Sequence, residues 1–198
     1  MIPALIVVLA FLAGSIPFGV IVSRLFFRVD LRAQGSGNIG AANALRTLGK
    51  VPAIVVLILD ILKGAVPTAL ATGYGGDAVP WIGPAAGAAA IVGHVYSPWL
   101  GWRGGKGVAT HLGVLIALAW QAALAFGLVW IGAVLATNYS SAGSLAGTFV
   151  SAVVLWYAAG AWAAAYGAFA SLLILYTHRE NVARLRAGTE NPLRKVAR

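Results

Sequence analysis

The sequence begins with a long apolar stretch, Ile2-Pro-Ala-Leu-Ile-Val-Val-Leu-Ala-Phe-Leu-Ala-Gly-Ser-Ile-Pro-Phe-Gly-Val-Ile-Val22, which carries no charged side chain. A helix of about 20 apolar residues spans the hydrocarbon core of a bilayer, so this stretch predicts a membrane helix. No basic residue precedes it, which argues against a cleavable signal peptide. Arg24 is the first cation and follows the stretch. Because positive charges favour the cytoplasmic side, we expect an outside N-terminus and a first helix that runs inward.

The composition of the whole chain also favours a bilayer over water. Of its 198 residues, 60% are hydrophobic and only 10% are charged, whereas a soluble domain carries about 25% charged residues. The 25 glycines suit membrane helices that approach one another closely. The absence of cysteine excludes disulfides and thiolate ligands. With only three histidines and five acidic residues, we expect no metal site and no cofactor.

The cations indicate how the helices cross the membrane. Apart from Lys63 they fall into three clusters, within residues 24–50, 103–106 and 179–198. The positive-inside rule assigns all three clusters to one side, predicted to be cytoplasmic. The second helix, about 51–72, then runs outward, and the third, about 79–95, returns. We interpret the net charge of +9 as topology and attraction to anionic lipid and substrate, and not as nucleic-acid binding.

The number of spans follows from parity. An even number must lie between the second and third clusters, and polar or glycine breaks occur near 119–121, 137–141 and 159–160. Two spans would leave one segment of about 34 residues, well above a typical crossing of about 20. We therefore predict an all-α, polytopic membrane bundle with seven transmembrane helices and a cytoplasmic C-terminus, five spans being the alternative. The chain is predicted to be a single domain, 1–198.

A glycine-rich segment, Gly35-Ser-Gly-Asn-Ile-Gly-Ala-Ala-Asn-Ala-Leu-Arg46, follows the first cations. Glycines let the backbone curl so that N–H groups converge on an anion, and the helix that follows adds a favourable dipole. The segment matches the glycine pattern of dinucleotide-binding folds, but no βαβ unit surrounds it. We interpret it as a phosphate pocket, the alternative being an ordinary solvated loop. The residues assigned to the pocket are Ser36, Gly37, Asn38, Asn43 and Arg46.

A second segment combines glycines with a cation just before a predicted helix, as Gly104-Gly105-Lys106-Gly107. Its spacing does not match the P-loop pattern, yet backbone N–H groups and the Lys106 charge suit a phosphate for the same physical reasons. His94 lies upstream at the predicted membrane boundary, where a structural role or the role of a base is possible.

A third segment places His178 and Asn181 three residues apart, so they share a helical face that Arg184 extends. The alternative is a basic amphipathic tail on the membrane surface, which we favour for the final cations, Arg194, Lys195 and Arg198.

Three further polar residues fall in or between apolar stretches. Asp60 and Lys63 are spaced i, i+3 inside the second stretch, where they form either a structural ion pair or part of a site. Ser141 joins the site only if the chain has seven spans.

Together these segments resemble the PlsY family of bacterial acyl phosphate:glycerol-3-phosphate acyltransferases. The resemblance covers nearly the whole chain and begins with Gly14-Ser-Ile-Pro17. Three ordered motifs carry it: Ser36–Gly40 with Arg46; Gly93-His94 with Gly104–Thr110; and His178–Asn181 with Arg184-Leu185 and Gly188–Glu190. Two positions differ from the family's common pattern, Ala42 and Asn138.

The resemblance implies a seven-helix enzyme of the bacterial cytoplasmic (inner) membrane with its motifs facing the cytoplasm. It implies transfer of a fatty acyl group from acyl phosphate to the 1-hydroxyl of glycerol 3-phosphate. The products are lysophosphatidic acid and phosphate, in phospholipid biosynthesis. We expect membrane lipid and these two substrates as partners, and no nucleic acid.

Our mechanistic hypothesis gives each substrate phosphate its own pocket. Ser36, Asn38 and Arg46 form one, and the 104–107 turn with Lys106 forms the other. Lys106 stabilises the oxyanion, and His178, positioned by Asn181, accepts the hydroxyl proton. A substrate phosphate oxygen is the alternative base. Two other functions remain possible: a transporter of an organic phosphate or other anion, and a metal-dependent lipid phosphotransferase.

Overall fold

A computed structural model of the chain describes residues 1–193. The predicted surface cations Arg194, Lys195 and Arg198 therefore lie outside the described residues. Within 1–193 the chain forms nine α-helices and no β-strand, which confirms the all-α class for this part. The helices are α1 (Ile2–Ser15), α2 (Phe18–Phe27), α3 (Ala41–Thr47), α4 (Lys50–Gly75), α5 (Ile82–Val95), α6 (Val108–Leu118), α7 (Trp120–Thr137), α8 (Ser140–Thr177) and α9 (Arg179–Arg186).

The first apolar stretch forms two helices instead of the single helix expected. Ile16, with φ −60° and ψ 120°, is extended and ends α1, and α2 begins directly after Pro17. The proline ring disfavours helical geometry at the residue before it, which explains the break. Across the break, Ile2–Phe27 is still long and apolar enough to cross a membrane.

The predicted breaks in the second half of the chain are confirmed. Ala119 is extended between α6 and α7, and Asn138 adopts the left-handed conformation (φ 61°) between α7 and α8. Gly160 interrupts α8 with a φ of 76°. Asn and Gly tolerate this conformation better than other residues, so both breaks have a local cause. Nothing in the sequence around Ala119 requires its extended backbone.

The surface of the bundle is apolar where the helices are longest. Four segments are long and apolar enough to span a membrane: Ile2–Phe27, Lys50–Gly75, Trp120–Thr137 and Ser140–Thr177. Leu70, Leu135, Tyr157 and Leu172 on the last three are all at least 68% exposed. In water such a surface would promote aggregation, whereas lipid chains cover it without cost. The structure thus supports a polytopic membrane bundle.

Helix packing brings the polar motifs to one place. Helix α1 packs on α5, α4 packs on α5 and α6, and α7 packs along α8. Buried Ile91, Leu115, Phe126, Leu155 and Ile174 form a core shared by α5, α6, α7 and α8. As a result, the loop before α3, the loop between α5 and α6 and the segment after α8 all line one cavity.

Candidate active site

A cavity of about 1220 Å³ collects polar side chains from all three motifs. Its lining includes eleven of the predicted site residues: Ser36, Asn38, Asn43, Arg46, Asp60, His94, Lys106, Gly107, Ser141, His178 and Asn181. These residues are up to 145 positions apart in the sequence, from Ser36 to Asn181. Their convergence is therefore a property of the fold and not of any one motif.

Asn43 holds the glycine-rich loop in shape. Its side-chain Nδ2 donates to the carbonyls of Leu31, Gln34 and Asn38, at 3.1, 3.0 and 2.8 Å. Its Oδ1 accepts from the Ser36 N–H at 2.9 Å. The buried amide is thus already satisfied by the backbone, so this geometry supports a positioning role for Asn43, and its role as a phosphate donor stays a prediction. Asn43 holds Ser36 and Asn38 in position in the cavity wall.

Arg46 projects from α3 into the same cavity and contacts the C-terminal segment. Its Nε donates to Pro192 O at 3.0 Å, and a terminal nitrogen donates to Asn191 O at 3.2 Å. Both acceptors are neutral carbonyls. A phosphate is a stronger acceptor for a guanidinium, so an incoming anion can replace them.

The two glycines before Lys106 pack against the end of α5. The Gly104 N–H donates to Val95 O at 2.9 Å, and the Gly105 N–H donates to His94 O at 3.1 Å. A Cβ at Gly105 would come within 2.2 Å of His94 Nε2, so a side chain there would displace the buried His94 ring. Both N–H groups are thus already used within the protein, and the assignment of the 104–107 turn to phosphate binding stays a prediction. Lys106 and Gly107 do line the cavity.

Lys106 begins a chain of hydrogen bonds that runs through the cavity wall. Lys106 Nζ donates to Asn181 Oδ1. Asn181 Nδ2 donates to Glu190 Oε1 at 2.6 Å. Ser141 Oγ donates to the same oxygen at 2.9 Å, and Arg184 Nε donates to Glu190 Oε2 at 2.8 Å. Asn181 therefore orients Lys106, and the expected contact of Asn181 with His178 is not among the hydrogen bonds of residues 1–193.

His178 lines the cavity, and one of its ring nitrogens is bonded to the backbone. Its Nδ1 lies 2.8 Å from Ile174 O, and a carbonyl only accepts, so Nδ1 carries the proton. Nε2 of the neutral ring is consequently the acceptor. This is the tautomer that a general base requires.

The surroundings shift the protonation of the site. Burial lowers the pKa of Lys106 to about 8, and the Arg184 charge acts in the same direction. Burial and the Lys106 charge lower the pKa of His178 to about 4, so His178 is neutral at pH 7. Burial raises the pKa of Glu190, but hydrogen bonds from Asn181, Arg184 and Ser141 outweigh it and the net pKa is lowered. The site thus holds an anion, a neutral imidazole and an ammonium that titrates near pH 8.

Asp60 and Lys63 form a buried ion pair beside this site. Lys63 Nζ lies 2.8 Å from Asp60 Oδ1 and donates to Ile16 O at 2.8 Å, at the break between α1 and α2. His94 Nδ1 lies 3.8 Å from the same carboxylate oxygen and 3.1 Å from Thr110 Oγ1. Asp60 and His94 line the cavity and Lys63 does not. For Lys63 the geometry supports the structural alternative.

The other half of the cavity is apolar and opens sideways. Leu112, Phe126 and Trp130 line it from α6 and α7. Ile54 on α4 and Ile131 on α7 also line it and are 54% and 51% exposed, and both helices are long and apolar enough to cross a membrane. The cavity therefore joins a polar, cationic end to an apolar wall that faces the lipid.

Among residues 1–193, no group of three or more His, Cys, Asp or Glu side chains is placed to hold a metal ion. Asp60 and Glu190 line the cavity, but each already has a cationic neighbour, Lys63 and Arg184 respectively.

Comparison with known proteins assigns this arrangement to a family. Residues 4–188 match a family model described as glycerol-3-phosphate acyltransferase. This chain belongs to the glycerol-3-phosphate acyltransferase family. A relative of that name from Rhodopseudomonas palustris (strain BisB5) is 43% identical over 184 residues, covering 93% of this chain and 92% of the relative. One from Brucella anthropi is 45% identical over 186 residues, covering 94% and 90%.

Solved structures of this acyltransferase family share the whole fold. The crystal structure of PlsY, an integral membrane glycerol 3-phosphate acyltransferase, in its glycerol 3-phosphate form superposes with a TM-score of 0.92. It is 37% identical and covers 97% of this chain and 96% of that chain. The lysophosphatidic acid form gives a TM-score of 0.89 at 35% identity. The predicted family and the predicted acyltransferase class are confirmed, and the transporter alternative is not favoured.

Some parts of this acyltransferase site differ from the sequence prediction. Gly37 and Gly104 line a separate, smaller cavity, and Arg184 does not line the main cavity but donates to Glu190, which does. Sequence reasoning did not assign Glu190, although it ends the third motif, nor Lys50 and Asn191, which also line the main cavity. A single Glu two residues after a glycine does not by itself predict a role. Glu190 contacts Asn181 only through the folding of the chain.

Proposed function

We propose that this acyltransferase moves a fatty acyl group from an acyl phosphate to the 1-hydroxyl of glycerol 3-phosphate. The products are lysophosphatidic acid and inorganic phosphate. One observation carries the proposal: a single cavity combines cations and neutral donors from three motifs with an apolar wall open to lipid. Two phosphates and one acyl chain require this combination.

The proposal includes seven transmembrane helices in a bacterial cytoplasmic membrane, with the polar end of the cavity facing the cytoplasm. Helices α1 with α2, α4, α5, α6, α7 and the two halves of α8 on either side of Gly160 supply seven apolar segments. The exposed cations Arg24, Arg103 and Arg186 support the cytoplasmic side, because positive charges favour it. Arg103 lies on the same loop as Lys106, which lines the polar end of the cavity.

Two anion seats follow from the cavity lining. Ser36, Asn38 and Arg46 form one seat, where the phosphate replaces the carbonyls that Arg46 now contacts. Lys106 and Gly107 form the other. Holding both substrates side by side turns a bimolecular encounter into a local reaction, which supplies much of the rate acceleration.

The transfer itself requires one proton acceptor and one cation. The 1-hydroxyl oxygen attacks the acyl carbonyl carbon, the bond from that carbon to the phosphate oxygen breaks, and phosphate leaves with the electron pair. His178 Nε2 accepts the hydroxyl proton, and a bound phosphate dianion beside the ring raises the pKa of His178 as needed. A substrate phosphate oxygen is the alternative acceptor. Lys106 stabilises the negative charge that develops on the carbonyl oxygen.

Donor specificity tests the proposal directly. Purified protein is incubated with labelled glycerol 3-phosphate and either palmitoyl phosphate or palmitoyl coenzyme A. We expect labelled lysophosphatidic acid only from palmitoyl phosphate. Product formed equally well from the thioester would reject the donor, and no product from either donor would reject the reaction.

Substitutions link the reaction to the cavity. We expect Lys106→Ala and Arg46→Ala each to lower kcat/KM roughly 10- to 140-fold, because a charge-assisted contact to phosphate is worth about 1.5–3 kcal/mol. Arg186→Ala removes one exposed cation from α9 outside the cavity and serves as the matched control. Equal activity of all three variants would refute the assignment of the two seats.

A further inference from the structure

A second cavity, of about 550 Å³, lies behind the loops that line the active site. Alternate residues of one loop face the two cavities: Ser36 and Asn38 face the larger, and Gly37 and Ile39 face the smaller. The proposed mechanism uses no side chain of the smaller cavity. Its lining residues are Asp30, Arg32, Ala33, Gly37, Ile39, Leu100, Arg103 and Gly104.

The smaller cavity has an excess of positive charge. Asp30 is its one carboxylate, and two guanidinium groups already contact it, Arg24 at 2.7 Å and Arg32 at 2.7 Å. Arg103 adds a third cation, and its side chain has no hydrogen-bond or ion-pair partner within residues 1–193. One carboxylate beside three guanidinium groups leaves an unbalanced charge that an anion would neutralise.

The walls of the cavity are ordered before any ligand arrives. Asp30 Oδ1 accepts from the Arg32 N–H at 3.0 Å and so caps a short turn, Leu31–Ala33. On the opposite wall, the Trp102 N–H donates to Ser97 O at 2.8 Å, and the Gly104 N–H donates to Val95 O at 2.9 Å. The backbone on either side of Arg103 is therefore held by hydrogen bonds. A fixed wall lowers the entropy cost of binding.

Aromatic side chains indicate the depth of the cavity in the membrane. Trp99 and Trp102, on the turn that carries Arg103, are 64% and 61% exposed, and Phe26 at the end of α2 is 74% exposed. The Trp99 Nε1–H donates to Ser15 Oγ at 2.8 Å, which holds this turn against the end of α1. Exposed tryptophans concentrate at the level of lipid headgroups. The unpaired Arg103 lies beside them in the chain.

From this combination we infer that the smaller cavity binds the phosphate of an anionic membrane phospholipid. Guanidinium groups pair with phosphate through charge and parallel hydrogen bonds. The exposed aromatic side chains contact the glycerol and upper acyl region of a lipid, which a free anion lacks. A bound headgroup would also steady the 36–39 loop, since Gly37 and Ile39 belong to its wall.

Native mass spectrometry of the full-length chain tests this inference. The protein is incubated in detergent with either phosphatidylglycerol or phosphatidylcholine. We expect wild type to retain phosphatidylglycerol and Arg103→Gln to retain about tenfold less, because one charge-assisted contact is lost. Arg186→Gln, which makes the same charge change on α9, should retain as much as wild type. Equal retention by wild type and Arg103→Gln would overturn the inference.

Two further arms identify the source of the phosphate and the cavity involved. Millimolar inorganic phosphate should leave the lipid bound, and full displacement by phosphate would overturn the lipid assignment. Lys106→Ala disables the larger cavity and should retain phosphatidylglycerol like wild type, whereas loss there would assign the lipid to the active site. An unchanged thermal midpoint for Arg103→Gln shows that it folds. No acyl transfer is measured, so the result is independent of the proposed reaction.

Discussion

At the scale of single residues, the lowered pKa of Lys106 gives the clearest prediction about activity. Lys106 is half-buried, donates to Asn181 and lines the cavity near Gly107. Burial is the main reason that its pKa falls from 10.5 to about 8. The ammonium is therefore mostly charged at pH 7 and loses its proton within the range in which the enzyme can be assayed.

We expect kcat/KM to fall as the pH rises through about 8, because the protonated form of Lys106 is the active one. The profile of kcat/KM reports the free enzyme and so the pKa of the unliganded site. Lys106→Arg keeps its charge at every accessible pH. Its activity should be lower overall, but its profile should stay level between pH 7 and pH 9, about one unit to each side of the Lys106 pKa. Profiles of the same shape in both proteins would show that another group titrates.

Glu190 joins three side chains that no local pattern connects. Glu190→Gln removes the charge that Arg184 contacts and disturbs the acceptor of Asn181, so Lys106 loses its orientation. Buried hydrogen bonds to a charged group are worth about 2–3 kcal/mol, which predicts a loss of roughly 30- to 140-fold in kcat/KM. Glu180→Gln, on the exposed side of α9, is the control. If both variants behave alike, Glu190 does not position the site.

At the scale of elements, His111 connects α6 to both halves of α8. Its Nδ1 lies 2.8 Å from Tyr166 Oη, after the Gly160 break, and its Nε2 lies 3.2 Å from Ser151 Oγ, before the break. All three side chains are buried. This network holds the two halves against the same neighbour.

Replacing His111 should loosen that connection. His111→Leu removes two hydrogen bonds and leaves the buried Tyr166 hydroxyl without its partner, whereas Ser151 Oγ keeps its bond to Thr148 O. The cost is about 1–3 kcal/mol and should lower the thermal midpoint in detergent. Tyr166→Phe removes one hydroxyl and one bond, so its shift should be smaller. An unchanged midpoint in His111→Leu would mean that packing alone holds the halves of α8.

The sequence predicted elements best where one residue type has a local cause. Asn138 and Gly160 tolerate left-handed backbone, and both predicted breaks occur there. The break after Ile16 also has a local cause, Pro17. Because apolar residues continue on both sides of it, the sequence predicted a single helix there. Asn43 and Asn181 are different, because their partners lie up to 12 and 75 residues away. Roles that depend on such partners cannot be derived from spacing.

At the scale of the whole molecule, the absence of native cysteine makes the topology easy to measure. Single cysteines at exposed Arg103, Thr137 and Ala187 should react with a membrane-impermeant maleimide only from the cytoplasmic side. Cysteines at Asp77 and Ala159 should react only from outside. Thr137 decides the number of spans, because a five-span chain would expose it outside. Labelling of Arg103 and Ala187 from opposite sides would exclude a shared site.

Because the cavity opens sideways beside Ile54 and Ile131, the relevant concentration of a long-chain donor is its concentration within the membrane. A long-chain donor that enters there arrives by diffusion in the plane of one leaflet. The reaction rate should then depend on the mole fraction of acyl phosphate among the surrounding lipids, so that adding inert phospholipid slows the enzyme even when the total amount of donor per volume is constant. Kinetics of this enzyme therefore need to be expressed in surface units.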